Sequence, residues 1–269
     1  MENYTIESVL KSEPNIRHLL DVACPLVKKG KIRIKGILII CKSLTIRKAI
    51  LDLIKSRLNI DSYKHFELNF DTKEGDLLSC VSQLKSNDFI LCDEEELQIN
   101  HSIRKLLSRI IEESTCELQI GKGTSAKTLN LDLPESTFIF SCEKSTPATN
   151  YLSKYCEHVI CLDEYQLKRL CEPIVAALFN EEKIYSTSDI VKSIARRNEE
   201  NIDLCFRSVK RISQYIQTTG NCHLVAVCVS ETVKSMRDFV NMVNRKIEGI
   251  TYISAHSVLD IIKGNIIPE

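Results

Sequence analysis

Short apolar runs alternate with amphipathic stretches, and this alternation constrains the fold more than any other feature of the sequence. The first run, Ile37–Ile40, is apolar throughout and precedes Ile46–Leu58, whose apolar residues recur at helical spacing. Further apolar runs lie at Phe89–Leu91, Phe138–Phe140 and Val159–Leu162. Because strands that alternate with helices build parallel sheets, the sequence predicts an α/β fold with strands buried on both faces.

The strand pattern ends near residue 163, and helical patterns dominate the chain after that point. Pro and Ser do not cluster there into a flexible linker. The sequence therefore predicts an α/β domain, a small helical domain and a short C-terminal tail, with limits at 1–163, 164–232 and 233–269.

A β-hairpin is predicted between the second and third of these apolar runs. Leu118–Ile120 and Leu129–Leu133 alternate in polarity and flank the turn residues Gly121–Ser125.

The charge is balanced overall but uneven along the chain. Lys and Arg number 36, and Asp and Glu also number 36, which argues against a protein that coats nucleic acid by bulk charge. Residues 28–57 carry ten basic residues and one acid, a net of +9, whereas residues 88–117 carry eight acids and three basic residues, a net of −5. We favour mutual neutralisation of the two segments; the alternative is an anion site in the basic one.

The twelve cysteines do not follow a metal-binding or disulfide pattern. The closest two, Cys156 and Cys161, are five positions apart, and several others lie inside apolar runs. There is no apolar run near the roughly 20 residues that a membrane span needs, and the first residues lack a signal-peptide pattern. We expect reduced cysteines, no metal site, no membrane partner and a cytoplasmic location.

Asp93 and Glu94 end the second apolar run, one strand–helix unit after the first. This is the layout of a P-loop nucleotidase, in which one carboxylate holds Mg²⁺ and the next orients the attacking water. The alternative, which we favour from these residues alone, is a polar strand end that continues into Glu95 and Glu96.

The segment Ile120–Pro134, with the sequence IGKGTSAKTLNLDLP, closely resembles the hairpin of the RuvB family, the AAA+ motors of Holliday-junction branch migration. The resemblance extends over roughly residues 5–230 and is strongest over 88–165. It implies an AAA+ type parallel-sheet domain followed by a helical lid domain. In the family this hairpin docks on RuvA, which implies partner-binding roles for Ile120, Lys122, Thr124, Lys127 and Leu129.

The phosphate-binding loop departs from the family pattern. In the matching stretch, Cys41 and Ile46 replace the two glycines, Arg47 stands in the lysine position, and Lys48 stands in the position of the Mg²⁺-binding hydroxyl. A Cβ at both glycine positions penalises the backbone conformations of the loop and fills the space for phosphate. Arg47 and Lys48 therefore remain only as a degenerate cofactor-binding pair.

Other catalytic positions differ as well. The sensor-1 position holds Cys142, the arginine-finger segment spans Leu152–Cys156 without an arginine, and the sensor-2 position holds Asp203. About 40 residues follow the lid, fewer than the winged-helix domain of the family needs, so we expect DNA contact to be indirect or weak.

These observations leave three hypotheses. We favour a RuvB-like pseudoenzyme of DNA recombination and repair that binds RuvA- or RuvB-type proteins. The second is a divergent branch-migration ATPase that uses Asp93 and Glu94, and the third is a scaffold reused for interactions unrelated to DNA. We expect no cofactor under the first hypothesis, and ATP with Mg²⁺ only if the altered loop still binds it. The oligomeric state stays open.

Overall fold

The central feature of the computed structural model is a five-stranded parallel sheet with the strand order β2-β3-β6-β1-β7. The structure describes residues 5–120, 127–184, 186–199 and 201–218, together with 234, 237, 238, 240 and 241. The strands are β1 (Gly36–Cys41), β2 (Lys64–His65), β3 (Phe89–Glu94), β4 (Thr115–Ile120), β5 (Lys127–Asp132), β6 (Thr137–Cys142) and β7 (His158–Leu162). Each predicted strand of the sheet is present, so the parallel α/β prediction is confirmed.

Ten α-helices are assigned within the described residues. They are α1 (Ile6–Leu10), α2 (Pro14–His18), α3 (Cys24–Lys28), α4 (Leu44–Leu58), α5 (Glu74–Ser82), α6 (His101–Glu113), α7 (Pro147–Leu152), α8 (Glu164–Glu181), α9 (Ser188–Arg197) and α10 (Ile202–Thr218). A π-helical turn, Leu19–Ala23, joins α2 to α3. The sequence pattern also predicts a helix over 230–247, of which the structure describes only residues 234, 237, 238, 240 and 241, all of them helical.

The sheet is buried because its central strands are apolar on both faces. Leu38 of β1 and Phe138 and Phe140 of β6 contribute to one large core cluster together with the apolar face of α6. All six residues of β6 are buried. This core holds the carboxyl ends of β1, β3 and β6 side by side, which places the loops that follow them at one edge of the sheet.

The chain divides into two compact units. One contains residues 10–165 and therefore the whole sheet; the other contains the described residues from Gln166 onward together with residues 5–9. Residues 5–9 had been expected in the α/β domain. The predicted limits at 163 and 232 stay predictions, and the tail 233–269 lies almost wholly outside the described residues.

The ten cysteines in the described part of the chain are all free thiols, and eight of them are buried. None of the described helices is both long enough and apolar enough to cross a membrane.

Candidate functional site at the carboxyl edge of the sheet

The connection between β1 and α4 is only two residues long. β1 ends at Cys41 and α4 begins at Leu44, so Lys42 and Ser43 alone join them. The helix had been predicted to begin at Ile46, with a loop before it. The residues that would wrap a phosphate are therefore helical: Leu44, Thr45 and Ile46 form the first turn of α4.

Ser43 caps this helix with its own side chain. Its backbone is extended, with φ −82° and ψ 115°, and its Oγ accepts a hydrogen bond of 3.1 Å from the Ile46 N–H. Ile46 itself is fully buried. An N–H at the position of the second loop glycine is thus satisfied by the protein rather than directed at a ligand.

Arg47 is turned into the protein. Its side chain is 5% exposed, its Nη1 donates to the Cys41 carbonyl oxygen at 2.8 Å, and its Nε lies 3.7 Å from Asp93 Oδ1. That last distance is an ion-pair contact rather than a hydrogen bond. The guanidinium therefore ties the end of β1 to the end of β3, while the neighbouring Lys48 is exposed.

Asp93 and Glu94 are the last two residues of β3 and, as successive strand residues, face opposite sides of the sheet. Asp93 lies on the side of Arg47, with its side chain 27% exposed. Glu94 is half-buried, and its Oε1 accepts a hydrogen bond of 3.1 Å from the Leu68 N–H. Burial raises the pKa of the Glu94 carboxyl above its usual value, opposed by that hydrogen bond. The two carboxylates thus have separate partners.

The sensor-1 position on β6 is apolar in character. Cys142 is fully buried, and burial raises the pKa of its thiol to about 11. Its Sγ lies 3.5 Å from the Lys144 carbonyl oxygen and 3.8 Å from that of Ile39. Beside it, the buried Ser141 Oγ has no hydrogen-bond partner. A neutral thiol in this position is a weak partner for phosphate.

The two ends of the segment in the arginine-finger position are packed in the core, whereas Lys154 between them is exposed. Leu152 and Cys156 are buried, and a Cβ added to Gly36 would lie 2.9 Å from Cys156 Sγ. Asp203, in the sensor-2 position, lies in the first turn of α10 in the second unit.

This geometry does not fit a nucleoside triphosphate with Mg²⁺. The residues that would form the loop around the phosphates are instead the first turn of α4. The Ile46 N–H already donates to Ser43 Oγ, and the Arg47 side chain has two protein partners, Cys41 and Asp93. Within the described ranges, no group of three or more His, Cys, Asp or Glu side chains could hold a metal ion.

The predicted hairpin is present as an antiparallel pair. β4 and β5 pair in register from Thr115 opposite Asp132 to Ile120 opposite Lys127. A bidentate ion pair joins Arg109 of α6 to Glu117 of β4, with N–O distances of 2.7 and 3.0 Å. Leu131 packs against the large core cluster.

Of the predicted partner-binding residues, Ile120 ends β4, Lys127 begins β5 and Leu129 lies within β5. Lys122 and Thr124 fall outside the described residues.

Two contributors to the site were not predicted from the sequence. Ser43 could have been found, because serine is a common N-cap residue and Ser43 lies three positions before the predicted start of the helix at Ile46. The Glu94–Leu68 contact spans 26 positions and follows no local pattern, so only the structure places Leu68 there.

Comparison with known proteins gives a consistent result. Residues 12–158 match the family model described as the Holliday junction DNA helicase RuvB P-loop domain. The Holliday junction branch migration complex subunits RuvB of Thermomicrobium roseum and Clostridium kluyveri are each 28% identical over 149 residues, covering 55% of this chain. The chain spans about 42% of the length of these relatives.

Among solved structures, the Thermotoga maritima RuvB Holliday junction branch migration motor superposes with a TM-score of 0.55 at 16% identity, covering 88% of this chain and 72% of that one. The likeness shows that the sheet and its helices form a P-loop AAA+ fold.

Proposed function

This chain belongs to the family of the Holliday junction DNA helicase RuvB P-loop domain, and we propose that it is a non-hydrolysing member that acts in DNA recombination by binding other proteins. In this proposal the hairpin, residues 118–133, is the docking element for a RuvA-type partner. DNA is reached through that partner rather than directly.

The proposed loss of ATP binding and hydrolysis is supported above all by the start of α4 at Leu44. A phosphate site at a helix N-terminus needs backbone N–H groups that are free to point at the ligand. The Ser43 cap satisfies the Ile46 N–H, and the Arg47 side chain, a cation that could otherwise contact phosphate, is paired with Asp93. A nucleotide would have to break both interactions and unwind the first turn of α4 before it gained any contact.

The hairpin supports the second half of the proposal. The segment Ile120–Pro134 keeps the family pattern although the loop at Cys41–Lys48 does not. The described part of the hairpin is held at two points: the Arg109–Glu117 ion pair joins β4 to α6, and Leu131 of β5 packs on the core cluster.

A nucleotide titration tests the first half. Isothermal titration calorimetry with ATP, with and without Mg²⁺, is expected to give no saturable heat up to millimolar ATP. The matched comparison is the variant Cys41→Gly/Ile46→Gly/Arg47→Lys/Lys48→Thr, which restores the residue types of a phosphate loop. Saturable binding by the wild-type chain at micromolar ATP would overturn the proposal, whatever the restored variant does.

A docking measurement tests the second half. RuvA from the same cell, immobilised for biolayer interferometry, is expected to bind the wild-type chain and to lose most of its affinity for Leu129→Asp. Lys48→Ala, at an exposed position of α4, is the control and should bind like wild type. Absence of wild-type binding to RuvA would reject this partner.

A second candidate function is a divergent branch-migration ATPase, because Asp93 and Glu94 still end β3. This function requires ATP turnover, stimulated by RuvA and junction DNA, that disappears in Glu94→Gln. Since the Glu94 carboxylate accepts from Leu68 instead, the first function is the better supported one.

A further inference from the structure

Phe70 is the most exposed of the described phenylalanines. It is 64% exposed, whereas the others are buried or half-buried. It lies in the segment Glu67–Lys73 between β2 and α5, here called the Phe70 loop. Because burial of apolar surface is favourable, a large aromatic side chain that is exposed in the free protein can stabilise a complex when a partner covers it.

The backbone of the Phe70 loop is held by hydrogen bonds from residues elsewhere in the chain. Leu68 is fully buried, and its N–H donates to Glu94 Oε1 at 3.1 Å. The Asn100 side-chain amide donates to the carbonyl oxygens of Phe70 and Thr72, both at 3.1 Å. These anchors come from β3 and from the N-cap of α6, so the backbone that carries Phe70 is fixed before any partner arrives.

The chain segment that carries Phe70 is acidic. Residues 67–76 contain four carboxylates (Glu67, Asp71, Glu74 and Asp76) and one ammonium group, on Lys73. Glu95 is also exposed, and it follows directly the residue that anchors Leu68. Such a field repels a phosphodiester backbone and attracts a cationic protein surface.

We propose that the Phe70 loop docks on a Lys- and Arg-rich segment of a partner protein, with Phe70 inserted between that segment's aliphatic side chains. Glu94 is the positioning residue of this surface, because its carboxylate holds the Leu68 N–H. The role given to Glu94 rests on the proposed loss of ATP hydrolysis; the docking role of Phe70 does not.

One conservative variant of Glu94 and one truncation separate positioning from catalysis. Glu94→Gln keeps an oxygen that accepts from the Leu68 N–H, whereas Glu94→Ala removes it. A catalytic carboxylate would be disabled equally by both changes. A positioning acceptor is disabled only by alanine.

Fluorescence anisotropy with labelled 16-residue peptides tests the surface. One peptide carries leucines and a net charge of +6; its counterpart has every Lys replaced by Glu; a 20-base-pair duplex DNA is the third probe. We expect the wild-type chain to bind only the cationic peptide, more weakly at high salt. Phe70→Ala and Glu94→Ala should weaken binding at least tenfold and fivefold respectively. Glu94→Gln and the control Tyr165→Ala, at another exposed aromatic residue, should bind like wild type.

Three results would overturn the inference. They are unchanged peptide binding by Phe70→Ala, preference for the acidic peptide or the DNA, and a homodimer in sedimentation velocity that Phe70→Ala dissociates. The last would assign the surface to a second copy of this chain. ATP turnover abolished by both Glu94 variants would reject the proposed function, while the Phe70→Ala measurement would still decide the docking role separately.

Discussion

The connection after β1 and the loop after β2 leave the same edge of the same sheet, yet their functional side chains point in opposite directions, one toward the protein interior and the other toward solvent. After β1, two residues lead into α4, and Arg47 turns inward to Cys41 and Asp93. After β2, the Phe70 loop turns Leu68 inward and leaves Phe70 in solvent. The first connection turns its polar side chains to partners within the chain, and the second leaves an apolar side chain exposed to solvent.

The difference shows how a P-loop fold can keep its architecture while the residues at the carboxyl edge of the sheet exchange ligand contacts for contacts within the protein. Asp93 and Glu94 keep their places at the end of β3, but one neutralises Arg47 and the other supports Leu68. Both carboxylates therefore contribute to stability through protein partners. Substitutions in the β1–α4 connection and in the Phe70 loop should therefore differ in their effect on the free energy of unfolding.

The largest expected effect is that of Arg47→Ala. It removes a buried guanidinium and leaves the Cys41 carbonyl oxygen and Asp93 without this partner, so we expect a loss of about 3 kcal/mol in the free energy of unfolding. Urea denaturation followed by circular dichroism measures it. Lys48→Ala, at the next and exposed position, is the control and should change stability by less than about 0.5 kcal/mol. Equal effects would mean that the inward pair does not stabilise the chain.

Among the other substitutions that remove a polar contact, Glu94→Ala should have the largest effect, about 1.5 kcal/mol, because the Leu68 N–H loses its acceptor. Glu94→Gln should be close to wild type at neutral pH. Since burial raises the pKa of Glu94 in the folded state, the folded protein binds the proton more tightly than the unfolded one. The wild-type stability relative to Glu94→Gln should therefore fall as pH rises above the usual glutamate pKa. Urea titrations of both proteins from pH 4 to 8 give this difference; a rise with pH would contradict the assignment.

Ser43→Ala should cost about 1 kcal/mol, the usual effect of removing an N-cap side chain. Ser56→Ala, at an exposed position within the same helix, is the matched control and should be neutral or slightly stabilising. Thermal unfolding of both variants measures the contrast. If the two variants unfold alike, the short connection does not depend on the cap.

The smallest expected effect is that of Phe70→Ala, a change of less than about 0.5 kcal/mol, because its side chain is largely in water. Leu68→Ala, two residues earlier and fully buried, should cost about 3 kcal/mol. The same urea titration serves both. A large loss in Phe70→Ala would show that its side chain is part of the core and not a docking anchor.

Much of the fold follows from local patterns. The apolar runs predicted β1, β3, β6 and β7, and the alternation around the turn predicted the hairpin, because buried strands and tight turns leave strong short-range signals. The two-residue strand β2 and the nine-residue helix α5 were not predicted, since short elements depend on neighbours more than on their own sequence.

The candidate site was predictable in its residues but not in its contacts. Substitution of the loop glycines by Cys41 and Ile46 indicated an altered phosphate loop. The sequence did not indicate that α4 would start at Leu44 or that Arg47 would turn to Asp93, 46 positions away. Such contacts depend on which strands become neighbours, and adjacency of β1, β6 and β3 is a property of the whole sheet.

The helix α6 sets a fixed separation between the two surfaces that face outward. Its 13 residues form a rod of about 20 Å, with Asn100 holding the Phe70 loop at one end and Arg109, near the other end, holding the hairpin through Glu117. A single partner that touches both surfaces must span this length. If two shorter binding modules were joined by a linker that spans this length, the second contact would become intramolecular and the overall affinity would rise.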